Sequence, residues 1–229
     1  TRRLTGAEAL VRRIKPDGTI VSPIDFIPVY EKSGLISRLD RYIWEQAAAK
    51  LGEWKKVGIN MSISVNISPK DFYYIDIFNT FAGLVKKYDI EPSNLKIEIT
   101  ETTIMSDVPN LMGELEELRK AGFTIEMDDF GSGYSSLNTL KDINVDVLKV
   151  DMGFIKETKN VKKSRIILAS VIKMAKVLNL LIITEGVETE EQVDNLTKLG
   201  CDVFQGYYFS KAIDVNEFEK RYLYRKKAG

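Results

Sequence analysis

The sequence predicts an α/β fold built on a mainly parallel sheet. Seven β-prone runs alternate with helix-period segments along the 229 residues. Neither a low-complexity stretch nor a linker-like break interrupts them, so the chain reads as one domain over 1–229. Such alternation suits an open doubly wound sheet or a barrel. No Gly-x-Gly-x-x-Gly stands at a first strand-to-helix turn, so the dinucleotide-binding fold lacks its signature. A (β/α)₈-type barrel needs one strand more than the seven counted.

The elements follow in order. Residues 4–14 read as a strand ending near Glu8-Ala9-Leu10 and Arg12, and Lys15-Pro16-Asp17-Gly18 has turn chemistry. Ser22-Pro23 opens a short helix that Gly34 closes, and 36–57 is a longer helix with Leu39, Ile43, Ala47 and Leu51 on one face. Alternation predicts a strand over 61–66, followed by a helix over 76–88 and a strand over 95–100. A helix over 107–121 carries Leu111, Leu115 and Leu118 on its apolar side. Strands over 123–127 and 145–150 bracket a short helix over 137–141. A helix over 162–179 through Ile166, Ser170, Lys173 and Met174, a strand over 180–184, a helix over 189–199, a strand over 202–204 and a helix over 215–224 complete the chain.

Composition limits the chemistry. Hydrophobic residues make up 44% and charged residues 29%, as in an ordinary globule with a substantial core. Lys plus Arg equals Asp plus Glu at 33 each, so no net field favours DNA, RNA or an anionic membrane. The single cysteine, Cys201, leaves no internal disulfide and fits a reducing, cytoplasmic setting. No apolar run is long enough to span a bilayer. The chain has no histidine, which removes serine–histidine triads and most zinc sites. Hydrolytic chemistry here would fall to carboxylates, amides, lysine and a hard metal.

The stretch Met127-Asp128-Asp129-Phe130-Gly131-Ser132-Gly133-Tyr134-Ser135-Ser136-Leu137 gives that chemistry a location. Two adjacent carboxylates stand where a strand gives out, and two closely spaced glycines follow. Adjacent acids repel unless something positive lies between them, and a divalent cation bound through oxygen meets the need. Glu8, Asn66, Glu98 with Glu101, Lys149 with Asp151, Glu185 with Glu188, and Gln205 also lie in or just beyond strands. In a barrel those strand ends converge on one face, where active sites of the fold sit. Any one of them alone would read better as a satisfied structural polar group; seven strands each delivering one argue for a site.

These residues resemble a family. Glu8-Ala9-Leu10-Val11-Arg12, Ser64-Val65-Asn66-Ile67-Ser68-Pro69, Glu98-Ile99-Thr100-Glu101, the Asp128–Leu137 loop, Leu148-Lys149-Val150-Asp151, Thr184-Glu185-Gly186-Val187-Glu188-Thr189 and Gln205-Gly206-Tyr207 are similar to the ordered motifs of the EAL domain, the bacterial cyclic di-GMP phosphodiesterase module. The resemblance runs from about residue 4 to 212.

The resemblance implies a modified TIM-type (β/α)₈ barrel with one strand antiparallel and a first strand upstream of this chain, which would be part of a longer protein. It implies that Glu8, Asn66, Glu98 and Asp128 ligate one Mg²⁺ or Mn²⁺, and that Asp128, Asp129 and Glu185 surround a second. Lys149 would hold the attacking water, Gln205 would fix that network, and Glu101 would brace the Asp-Asp-Phe-Gly loop. Arg12 would meet a substrate phosphate, with Asp151 and Glu188 on the substrate side. Two cations roughly 3.5–4 Å apart can clamp the attacking and leaving oxygens of a phosphodiester. The implied product of cyclic di-GMP is linear pGpG. Upstream sensory or GGDEF domains, a homodimer, and a place in the cytoplasm or on the cytoplasmic part of a membrane-bound protein accompany such domains.

Arg13 stands where the family often has tryptophan, and Ser132 where it often has threonine. Trp44, Trp54, Tyr73 and Tyr74 read as packing aromatics, and Cys201 as a buried small residue. The alternative function is a non-catalytic cyclic di-GMP receptor that signals by shape change. Relatives of that kind typically lose ligands or loop residues, whereas this chain keeps them.

Overall fold

The computed structural model describes residues 3–106, 108, 110–131, 140–141, 143–153 and 161–224. It is an α/β structure that divides into two compact units. One comprises residues 5–126 with 142–144, and the other 1–4, 127–141 and 145–229.

The first unit begins with β1 (Gly6–Glu8), a hairpin of β2 (Arg13–Ile14) and β3 (Ile20–Val21), α1 (Pro23–Ser33) and α2 (Ile36–Lys56). It continues with β4 (Ser62–Asn66), α3 (Asp71–Tyr74), α4 (Ile77–Tyr88), β5 (Leu95–Thr100), α5 (Glu101–Met105) and α6 (Leu111–Lys120). Strand β6 (Ile125–Asp128) carries the chain onward. The pairs β1–β4 and β4–β5 are parallel, with Glu8 beside Ser64 and Asn66 beside Glu98. The Ile97 N–H donates to the Thr124 carbonyl at 2.9 Å.

The strand expected over 4–14 is two separate pieces. Its ladder stops after the Ala9 N–H reaches the Ser64 carbonyl. Residues 13–14 instead pair antiparallel with 20–21. The turn between them dictates this: Gly18 lies at φ 84°, and the Asp17 carboxylate accepts the Thr19 N–H at 2.9 Å.

Helix α2 buries Trp44, Ala47, Ala48, Leu51 and Trp54, while Leu39 and Ile43 are half-buried. The two tryptophans bring the most apolar area and so turn the helix onto their own stripe. Trp44 meets Phe81 of α4 at 4.9 Å between ring centroids, and Phe81 meets Phe123 at 5.8 Å. Asp76 caps α4 by accepting the Asn79 N–H. Tyr73 and Tyr74 are not packing residues, since both are exposed on the single turn of α3. The helix expected from 107 is described from Leu111, with Leu111, Leu115 and Leu118 buried as expected; Asp107 lies outside the described residues.

In the second unit β7 (Val147–Asp151), β8 (Leu181–Glu185) and β9 (Val203–Phe204) pair in parallel order. Helix α7 (Val161–Val177) buries Ser164, Leu168, Ile172 and Ala175. Ile166, expected on that stripe, is exposed. Helix α8 (Glu190–Leu199) opens with a capping box between Thr189 and Gln192 and ends at Gly200, φ 98°. The helix expected over 215–224 is α9 (Val215–Phe218) running into a wider-pitched turn, Glu219–Leu223. Cys201 is buried, as expected, and accepts a hydrogen bond from Thr184 Oγ1 at 3.3 Å. Of the helix expected over 137–141, residues 137–139 lie outside the described residues, as does the loop segment 132–136.

Candidate active site

Each unit gathers polar side chains at strand ends. In the first, β5 alternates strictly: Leu95, Ile97 and Ile99 are fully buried on one face, so Lys96, Glu98 and Thr100 point to the other. The parallel register then sets Asn66 next to Glu98. Asn66 Nδ2 lies 3.2 Å from Glu98 Oε2 and 3.4 Å from Glu8 Oε1, so two carboxylates converge on one amide. Glu98 is 0% exposed, a costly site for a carboxylate without such donors. The backbone behind the amide is fixed as well. The Trp44 indole N–H donates to the Asn66 carbonyl at 2.9 Å, and the Ile67 N–H donates to the Glu98 carbonyl at 2.9 Å.

Other expected residues of this unit stand apart from that cluster or behind it. Arg12 is exposed, and its guanidinium donates to the carbonyl of its neighbour Val11 at 2.7 Å. Glu101 is buried in the first turn of α5, which Thr100 caps by accepting the Thr103 N–H. One charged pair was missed by sequence reasoning: Lys96 Nζ lies 2.8 Å from Glu126 Oε1. Its signal was present, because Lys96 precedes Glu98 by two residues and so shares its face. The Trp44 indole anchor was also missed, because a helical tryptophan reads as core whether or not its N–H has a particular task.

In the second unit Lys149 is the centre. It is 1% exposed, and its Nζ lies 2.8 Å from Glu185 Oε1 and 3.5 Å from Asp128 Oδ1. An ammonium so deeply buried persists only where carboxylates compensate it, and two do so here. The Asp129 N–H donates to Asp128 Oδ1 at 2.9 Å while Asp129 adopts φ 57°, so the adjacent acids diverge: Asp128 is half-buried and Asp129 exposed. Asp151 is exposed and accepts the Gly153 N–H at 2.7 Å.

Backbone contacts hold the segment after β8. The Gln205 N–H donates to the Thr184 carbonyl at 2.8 Å, and the Gln205 carbonyl accepts the Val187 N–H at 3.1 Å. Gly206, at φ 153°, passes so close to the Val187 backbone that a Cβ would collide with it. Gly186, at φ 67°, gives Asp151 its room: a Cβ there would stand 3.0 Å from Asp151 Oδ1. Glu188 is exposed, and its N–H donates to Gln192 Oε1 at 2.7 Å.

Among the described residues, no group of three or more acidic or thiol side chains is close enough to hold a metal ion. The donor chemistry nonetheless fits a hard divalent cation. The first cluster offers two carboxylates and an amide, and turning the amide by half a rotation replaces its NH₂ with an oxygen ligand. The second cluster already holds positive charge between two carboxylates, carried by Lys149.

A family model described as the EAL domain matches residues 1–212. The signaling protein YkoW of Bacillus subtilis is 36% identical over 219 residues, covering 96% of this chain and 27% of that protein. The bifunctional diguanylate cyclase/cyclic di-GMP phosphodiesterase MucR of Pseudomonas aeruginosa is 34% identical over 215 residues, covering 93% of this chain and 31% of that protein. The chain therefore spans under a third of the length of these two relatives. The solved structure of the PaMucR phosphodiesterase in complex with c-di-GMP matches with a TM-score of 0.85 at 34% identity, covering 92% of this chain and 86% of that one. Among the described residues, no helix is long and apolar enough to cross a membrane. With the family model extending over nearly the whole chain, this chain belongs to the EAL domain family.

Proposed function

We propose that this chain hydrolyses one phosphodiester of cyclic di-GMP, giving linear pGpG, with divalent cations held by Glu8, Asn66, Glu98, Asp128, Asp129 and Glu185. The observation that carries the reading is the convergence of the Glu8 and Glu98 carboxylates on the Asn66 amide at the ends of neighbouring parallel strands. Family membership supplies the substrate class: MucR is named a cyclic di-GMP phosphodiesterase.

In this reading residues 1–229 form one domain with the family's modified barrel, in which one strand runs against the others. The Lys149 ammonium, held by Asp128 and Glu185, orients the attacking water and offsets charge developing on the phosphoryl oxygens. Gln205, fixed through its backbone to the ends of β8, keeps that water network in register. Glu101 takes the bracing role that the family resemblance assigns to it. Bound Mg²⁺ or Mn²⁺ would supply charge neutralisation and a water of lowered pKa. Water adds to phosphorus, the P–O3′ bond breaks, and the departing sugar oxygen leaves protonated, so the linear product keeps a 5′-phosphate. Arg12, exposed beside its own backbone, swings to the substrate phosphate with little to give up; Asp151 and Glu188 face the substrate side. Upstream sensory or GGDEF domains, a dimer and a cytoplasmic setting complete this reading, in keeping with relatives more than three times as long as this chain.

Hydrolysis of cyclic di-GMP with Mg²⁺, Mn²⁺ or EDTA, followed by separation of pGpG, tests the proposal alongside Glu8→Ala. Metal-dependent pGpG formation that EDTA and the substitution abolish is the expected result. Nucleotide binding without turnover in either metal would refute catalysis and leave the receptor reading.

A further inference from the structure

We propose that Glu126 is a positioning residue whose task is to hold the Lys96 ammonium away from the Glu8–Asn66–Glu98 cluster, leaving those carboxylates open to a divalent cation. The inference rests on the metal-binding reading of that cluster.

Lys96 and Glu98 share one face of β5, two residues apart, a spacing of roughly 6.6 Å along a strand. The register places Ser64 beside Lys96 and Asn66 beside Glu98, with Glu8 beside Ser64. Lys96 therefore occupies the row immediately behind two carboxylates, and its flexible side chain is long enough to cover that spacing. An ammonium attached to Glu98 would neutralise the charge a cation needs and repel the cation itself.

The position Lys96 takes instead is well defined. Its Nζ lies 2.8 Å from Glu126 Oε1, and Glu126 is 1% exposed whereas Lys96 is 23% exposed. A carboxylate buried to that degree gives up most of its hydration, which makes it a poor choice if the pair only decorated the sheet. The pair is internally neutral, so it leaves the charge of the next row unaltered. Removing Glu126 alone would release a positive charge beside the cluster, whereas removing both partners would not.

Mn²⁺ titration of the full chain by calorimetry and by electron paramagnetic resonance tests this without recourse to turnover. Glu126→Gln preserves shape and should weaken Mn²⁺ binding on the order of tenfold, in the range found for residues that orient metal ligands from behind. The double variant Lys96→Met with Glu126→Gln should restore affinity to the wild-type level, and it provides the decisive arm should the single variant unfold. Wild-type uptake of Mn²⁺ with unchanged affinity in Glu126→Gln refutes the role of Glu126, as does a double variant that binds as weakly as the single one. A wild-type chain that takes up no Mn²⁺ refutes the metal site itself and this role with it. A purely structural pair would lower unfolding stability in Glu126→Gln while leaving the titration of the folded chain unaltered.

Discussion

Asp40→Asn should lessen the loss of stability that this protein undergoes as the pH rises through neutrality. Asp71, fully buried at the start of α3, accepts the Ser68 N–H at 2.8 Å. Asp40, on α2, faces it, and its carboxyl is pushed up to about 9 by burial first, then by the charge and hydrogen bond of Asp71 and by the charge of Glu31. Burial raises Asp71 as well. At neutral pH the pair holds a proton, with Asp40 as donor. In the unfolded chain Asp40 titrates near its ordinary value of 3.8, so between pH 4 and 9 the native state binds one proton more than the unfolded state. Raising the pH across that window therefore destabilises the fold by about 1.4 kcal/mol per unit. From pH 6 to 8 the loss is on the order of a few kcal/mol, a large share of a typical total of about 5–15 kcal/mol. The chain has no histidine to titrate in this window, and the contributions of Asp71 and Glu114, also raised by burial, are common to wild type and variant. Urea unfolding followed by the fluorescence of the buried Trp44 and Trp54 at pH 6, 7 and 8 measures the slope. Asn at position 40 keeps a donor for Asp71 and binds no proton in either state, so its curve should fall less steeply than that of the wild type. Parallel slopes in wild type and variant would show that the pair shares no proton, and would refute the argument.

Trp44→Phe keeps a ring packed against Phe81 but deletes the indole bond to the Asn66 carbonyl; we expect a stability loss of about 1–3 kcal/mol in urea, with weaker Mn²⁺ uptake in a calorimetric titration. Gly206→Ala should lower the melting temperature and cut turnover, because its Cβ would strike the Val187 backbone and shift Gln205; unchanged melting would refute the close approach. Lys149→Met leaves Asp128 and Glu185 without their ammonium, and single-turnover hydrolysis should slow by ~10²–10³-fold. Thr189→Ala removes one half of the capping box of α8 and should cost about 1 kcal/mol in thermal unfolding, with little change in turnover.

Regular alternation is a local property, and β5 shows how far it carries. Three isoleucine or leucine positions at period two fix which way Lys96, Glu98 and Thr100 point, and the same rule places Asn66 at the end of β4. The parallel pairing of the strands and the direction of the polar side chains along β5 were accordingly readable from the sequence. Residues 4–14 were not. They contain enough apolar residues for a continuous strand, but a turn four residues further on recruits Arg13 and Ile14 into a hairpin, and that competition is decided by pairing partners distant from the run itself. The same limit applies to Tyr73 and Tyr74, whose exposure follows from α3 being a single turn.

Charge placement was legible where charge occurs at a strand end and illegible where its meaning depends on a neighbour. Lys149 was flagged from its position, yet only its two carboxylate contacts explain why an ammonium can be 1% exposed. Nothing in the sequence marks Asp40, because the residue that alters it, Asp71, lies 31 positions away, across the β4 strand. The Lys96–Glu126 pair goes unmarked for the same reason: 30 residues separate them, and only the lateral pairing of strands makes them one group. The strand ends thus reveal which side chains can reach a common site. The rows behind them determine what charge that site feels, and that second layer is written in contacts between strands and helices, which a single sequence does not pair for the reader.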